Sequence, residues 1–414
     1  MRSIMALATL NRSRWFMANT RSLFSTSKPK KLLHPSFRLL QSSPRNKSTR
    51  RLMNDAFARF VEKDGNFIEQ FQTTGFNTRT FELYVSELVH SEGFAFEGTE
   101  PQPDFCVTKN GVKLSIECTT ANPTDDGKAG VHVYEATNEK DIDLEGLRAR
   151  QENEVPIKIA GALRNKMLHR VNKKTDPKAY WELPHVAGNP FVLAIQTFHE
   201  HGSLGFSNAA VIRYLYGISH SPSWDEARNL VINAKEVREH SYGERVISAG
   251  FFDLPDSENV SAVLWTNAGT VAKFTRMALA GPYPDEDVTM LRFGSMFDFD
   301  PNAHAPLPFA YIVGDPGAPK ETWGQEANLF HNPKAKHPIP QGLLDTVTDS
   351  QCVDGQYSDL IKGDFSPIMS MSNLINGPGH RRAAMAVGDK IFAELEKAYA
   401  EMNRRRVDAL PQQA

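Results

Sequence analysis

The sequence predicts an α/β fold. Its first half reads in the order helix, strand, two-stranded hairpin, helix, strand (αβββαβ), and its second half reads as an α+β extension. Three observations carry this. Residues 80–90 put Phe81, Val85, Leu88 and Val89 on one face at helical spacing. Asn110-Gly111 separates two β-prone runs, 104–108 and 113–119, and is a strong hairpin signal. Residues 191–197 form a continuous apolar run behind Asn189-Pro190, as expected of a central strand buried on both faces.

The elements follow in order. Residues 1–52 carry twelve Lys and Arg and no acid, the first acid being Asp55. Rich in Arg, Ser and Lys and without sustained periodicity, they are expected to be a basic disordered or targeting tail outside the fold. Two readings stand: a mitochondrial transit peptide, which places the protein in mitochondria, or the upstream part of a prokaryotic reading frame, which places it in the cytoplasm. Residues 53–220 form the expected core. Phe57, Phe60, Phe67 and Phe71 suggest a short helix and an extended lead-in; Gly93 ends the 80–90 helix, and 94–96 is a weak strand. Residues 122–150 are polar and read as a long excursion. A second helix spans 154–174, with Ile159, Leu163, Met167 and Val171 along one stripe, and another covers 209–216. In the extension, 221–414, residues 225–240 read as helical and 260–265, 309–313 and 328–331 as strands. Eight prolines between 301 and 340 mark that stretch as largely loops.

Composition excludes several classes. The chain has 414 residues, 40% hydrophobic and 23% charged, ordinary for a globular protein. No stretch reaches the roughly 18–20 apolar residues of a membrane-spanning helix. Cys106, Cys118 and Cys352 make neither a disulfide framework nor a CxxC zinc pair. The net charge of -2 hides an asymmetry: 35 basic and 49 acidic residues in 53–414 leave that part at -14. An acidic body suits sequence-blind nucleic-acid binding poorly, so phosphate contact needs a local basic patch. Arg164, Lys166, His169, Arg170, Lys173, Lys174 and Lys178 crowd the second helix and its exit and form a candidate stripe at 164–178 for nucleic acid; a solvated helix end favoured by the helix dipole is the competing reading.

Acids fall at particular places in this order. Glu82 lies in the first helix, Asp104 opens a strand as Pro103-Asp104-Phe105, and Glu117 lies in Leu114-Ser115-Ile116-Glu117-Cys118-Thr119. Side chains alternate along a strand, so Ser115, Glu117 and Thr119 share one face. Carboxylates that converge repel one another and call for a cation.

On these residues, over about 77–200, the sequence resembles the PD-(D/E)XK nuclease superfamily, and residues 64–76 are similar to a divergent branch of it. The resemblance implies a restriction-endonuclease-like core and a metal-dependent nuclease. Asp104 and Glu117, with Glu82, would hold magnesium (Mg2+), or manganese (Mn2+) in its place. The family's lysine, two residues beyond the strand glutamate, is absent: Thr119 stands there. In divergent members that lysine moves to the following helix, where Lys166 is the candidate and Lys158 the weaker one. The alternative is a catalytically inactive nuclease-like scaffold that binds nucleic acid or protein.

Other features carry less. Gln196 ends the apolar strand. His199 and His201 share a strand face as a two-histidine metal pair without a third ligand. Asp298 and Asp300 alternate in a predicted loop. The dense polar and aromatic run 323–333 reads as core packing with a His331 hydrogen bond. No Walker A or GxGxxG motif occurs.

Overall fold

The N-terminal segment folds because its apolar residues share a face. In the computed structural model, which describes residues 21–122, 144–172, 174–199, 204–227, 229–303 and 305–408, this segment forms α1 (Pro35–Ser42) and most of the first half of α2 (Lys47–Arg59). Leu23, Phe37, Leu40 and Leu52 are buried in the same core as Phe57, Phe67 and Phe71. Phe37 and Leu40 point inward at i, i+3 while Lys31, Lys47 and Arg51 stay exposed. Arg50 donates to the carbonyls of Leu40 and Ser43. The expected tail is corrected for residues 21–52: a basic, acid-free composition does not oppose burial when the charges lie on the outer face. Residues 1–20 lie outside the described residues.

Next come α3 (Phe67–Gln72), α4 (Phe76–Ser91), β1 (Ala95–Phe96), β2 (Phe105–Lys109) and β3 (Val112–Ala121). Asn110 and Gly111 take φ of 52° and 78°, the two positive values a type I′ hairpin turn needs. The second helix, α5 (Leu144–Met167), begins ten residues earlier and ends seven earlier than expected, so 144–150 are helix rather than excursion; 123–143 lie outside the described residues. Pro156 inside α5 has no N–H and leaves the Glu152 carbonyl without its helical partner. His240 Nδ1 donates to that carbonyl at 3.1 Å.

The strand β4 (Phe191–Thr197) is buried at all seven positions. It lies in the middle of an eight-stranded mixed sheet completed from the second half of the chain by β9 (Ala262–Thr266), β12 (Ala327–His331), β13 (Thr348–Val353) and β14 (Gln356–Leu360). The order is β1-β2-β3-β4-β9-β12-β13-β14. β3, β4 and β9 run parallel; β2 and β12 are antiparallel to their inner neighbours. One face, with Ile116, Cys118, Val192, Ala194 and Leu264, packs on α2, α4 and α7 (Val271–Ala280). The other, with Phe191, Leu193, Ile195, Val263 and Trp265, packs on α5 and α6 (Asn208–Leu215). The extension is therefore continuous with the first half, since it supplies half the strands of one sheet.

Residues 225–240 are not a helix. They enter two exposed hairpins, β5 (Ile218–Trp224) with β6 (Leu230–Glu236), and β7 (Glu239–Tyr242) with β8 (Arg245–Ser248). Strand pairing overrides a helical reading that had no buried stripe behind it.

A second sheet, β11 (Leu307–Ile312), β10 (Val288–Met296) and β15 (Pro367–Asn376), carries α8 (His380–Asp408) on one face. Leu291, Phe293, Ile312 and Ala384 make that small core. β15 passes so close to β10 that a Cβ on Gly294 would stand 2.0 Å from the Met369 carbonyl oxygen. On the opposite face a buried ionic network ties this sheet to α7. Glu321 takes bonds from Lys273 (2.7 Å) and both nitrogens of the Arg276 fork (2.8 Å each), and Arg292 binds Glu326 at 2.7 Å.

Two outcomes follow. Phe37→Ala should lower stability by about 3–5 kcal/mol in urea unfolding, and truncation before Met53 should lower it further. Burial depresses the Lys273 ammonium to about 8 from its ordinary 10.5, against the pull of Glu321. Between those values the unfolded chain binds more protons, so this group makes stability rise with pH through that window, and contributes no rise below about 8. Lys273→Met should flatten the rise; equal slopes in variant and parent would contradict it.

Candidate active site

The predicted acids meet where the two helical layers close over one end of the sheet. Glu82 comes from α4 on one face, Lys166 from α5 on the other, and Asp104 and Glu117 from the β2–β3 hairpin between them. The Asp104 N–H donates to Glu117 Oε2 at 3.2 Å, and the Cys118 N–H to Asp104 Oδ2 at 2.7 Å. Glu117, 3% exposed, accepts from Lys166 Nζ and from the Tyr180 hydroxyl at 2.8 Å, both on Oε1. Glu82 Oε2 accepts from Arg79 at 2.6 Å. Asp104 Oδ1 and Glu82 Oε1 accept no hydrogen bond among the described residues.

Arg79 is held from behind by Asp64, Asn66 and Gln70 (3.0, 2.7 and 2.9 Å) and lies over the Phe67 ring. Tyr180 stacks between His169 and Phe191, with ring centroids 5.4 and 5.6 Å away. Lys63 donates to the Pro103 carbonyl at 2.9 Å beside Asp104. The open cleft above these groups is lined also by Gln102, Thr119, Asn165 and His169.

The charges do not balance within the cluster. Burial, then the charges of Glu117 and Glu82, push the Asp104 carboxyl well above its usual range. Burial raises Glu82 as well, against Arg79. Burial works to lower Lys166, but Glu117 and Asp104 outweigh it and hold the ammonium above its ordinary value. Lys166 is therefore charged at neutral pH. Burial and the neighbouring Glu117 raise the Tyr180 hydroxyl, which stays a donor.

All four residues expected from the sequence come together. Lys166 reaches Glu117 across the sheet edge, while Lys158 does not line the cleft. The basic stripe does not form one face. Lys166 and His169 line the cleft, but Arg170 donates to the carbonyls of Met167 and His169, Lys178 pairs with Asp176, and Lys173 lies outside the described residues. His199 is buried against Phe206, and His201 is outside the described residues. Asp298 and Asp300 sit in a surface loop and cap its turns. Gln196 is buried, its Oε1 without a hydrogen-bond partner among the described residues. His331 pairs with Asp349 at 2.8 Å, and Trp323 packs on Tyr84 and Phe274.

Sequence reasoning missed Arg79, Tyr180 and Lys63. The i, i+3 spacing of Arg79 and Glu82 was a usable signal. Tyr180 had none, because only tertiary packing returns it beneath Glu117. Among the described residues no helix is long and apolar enough to cross a membrane, and no group of three or more His, Cys, Asp or Glu is placed to hold a metal ion. No protein-family model, curated protein or solved structure matches the chain.

The charge balance makes opposite forecasts for two variants. Without added metal at pH 7, Asp104→Asn should raise stability by on the order of 1 kcal/mol, because it removes repulsion and keeps an acceptor for the Cys118 N–H. Lys166→Met should lower it by about 1–3 kcal/mol, because Glu117 loses its cation. Denaturant unfolding reads both.

Proposed function

We propose that this cleft hydrolyses nucleic-acid phosphodiester bonds with a divalent metal ion, on a divergent restriction-endonuclease-like core. One observation carries the reading: Lys166, from the helix after the hairpin, pairs with Glu117 and supplies the positive charge that Thr119 cannot. The order α4, β1, β2, β3, α5, β4, with β3 and β4 parallel, supports the core assignment.

The residues fit magnesium or manganese. Three crowded carboxylates face Lys166 and Arg79, with Lys63 beside Asp104; Asp104 holds its proton above the usual range, and two carboxylate oxygens remain open. Magnesium is commonly held by only one or two carboxylates and keeps several waters, so an open set suits it better than a closed three-ligand cage. Asp104 and Glu117 would hold the ion, with Glu82 behind them. When bound, such an ion neutralises phosphate charge and makes water more acidic. Lys166, already protonated, does not take up a proton; it stabilises charge developing on the phosphate and positions water beside Glu117. Tyr180 holds Glu117 from below, and Arg79 pairs with Glu82, opposing the burial that raises it.

The competing reading is a nuclease-like scaffold without turnover. Thr119 favours it, and folds persist without activity. Single- and double-stranded DNA and RNA, incubated with magnesium or manganese, separate the two. The nuclease reading expects cleavage that Asp104→Asn and Glu117→Gln each abolish in folded protein. It also expects Lys166→Met to lower turnover about a hundredfold. No cleavage by the parent under any of these conditions leaves the scaffold; cleavage that survives both acid substitutions puts the site elsewhere.

A further inference from the structure

We propose that β15 is the pairing edge of a homodimer, in which a second copy of this chain lays its own β15 antiparallel against the first. β15 ends its sheet, with β10 on one side and, among the described residues, no strand on the other. About half of its backbone N–H and C=O groups therefore point outward, and no backbone group of another described residue pairs with them. Its ten residues, PIMSMSNLIN, carry no charge, and the one proline stands at the first position. Ile368, Met369 and Met371 are 53%, 42% and 46% exposed.

Every other sheet edge among the described strands is blunted against association, in the ways edges usually are. β1 has two residues; β11 contains Pro308, and β5 Pro222. β14 contains Asp359; β6 contains Lys235 and Glu236; β7 contains Glu239, and β8 Arg245. An uncharged ten-residue edge, about 34 Å long, is the exception.

The occupant it fits is a second copy. The partner must bring an extended, uncharged strand with its own free edge, and this chain has one. A two-fold axis perpendicular to the sheet keeps each residue on its own face, so odd-numbered residues meet odd and even meet even. With the axis at Met371, Met369 faces the partner's Asn373, Ser370 faces the partner's Ser372, and Ile368 faces the partner's Leu374. No pair sets like charges together. The pairing also carries the turn after the partner's Asn376 past the first end of β15. An apolar groove of Phe297, Phe299, Ile368 and Met402 lies there, with Asp298 and Asp300 in its wall. The partner's Arg382 follows that turn, an exposed side chain of opposite sign to those acids. Three strands joined to three make one six-stranded sheet, a more usual size than either half.

Sedimentation equilibrium of the full chain tests this. At about 100 µM, a hundredfold above a micromolar Kd, the parent should show twice the 46.3 kDa chain mass. Met371→Lys places two ammonium groups opposite each other at the axis and should halve that mass with an unchanged circular dichroism spectrum. Should Met371→Lys fail to fold, Met371→Glu, which sets two carboxylates opposite each other at the same axis position, takes its place. Hydrogen exchange of the parent gives an independent reading: alternate amides of β15 should be slow at high concentration and fast on dilution. A monomeric parent at that concentration overturns the proposal. So does a dimer that survives a folded variant charged at position 371, or one whose β15 exchange ignores dilution.

Discussion

Seven consecutive buried residues in β4 impose the constraint from which the architecture follows. A strand covered on both faces needs a helical layer above and below, and its parallel pairing with β3 requires a long crossover, which α5 supplies. The N-terminal helices and α7 then become necessary as cover for the face opposite α5. The candidate site lies at the sheet's end, where side chains from both layers and from the hairpin converge without crossing the apolar interior.

Two buried charge clusters meet the cost of ion burial differently. Around Glu321, three cations meet two carboxylates in a fully hydrogen-bonded interior network; burial would raise Glu321, but Arg276, Lys273 and Arg292 together hold it far below the usual carboxylate range. That cluster has strong internal partners and binds the small sheet to the body. At the cleft, three carboxylates meet Lys166 and Arg79, and burial, followed by the charges of Glu117 and Glu82, raises Asp104. An interior network in which every carboxylate is paired with more than one cation is a structural joint. The cleft is open and short of positive charge, the condition on which the proposed metal site rests.

Much of the first half was readable in the residues themselves. The Asn110-Gly111 hairpin, the face of α4 and the apolar run of β4 are local signals, and each needs only periodicity or turn chemistry to be seen. Glu82, Asp104 and Glu117 could be placed because they sit on those elements. The N-terminal segment was misjudged because charge composition was weighed above the i, i+3 pair Phe37 and Leu40. Residues 225–240 were misjudged because a short polar run reads equally as helix or strand until a partner strand exists.

The sequence alone determined the α/β class, the central strand, the hairpin turn and which acids stood on which elements, because these depend on neighbours a few residues apart. Only the tertiary structure decided that Lys166 rather than Lys158 meets Glu117, that Tyr180 lies beneath it, and that the second half completes the same sheet. Those facts join residues 49, 63 and more positions apart. Their meeting depends on how layers pack and on how a buried charge finds its partners, and no local pattern in the chain records either.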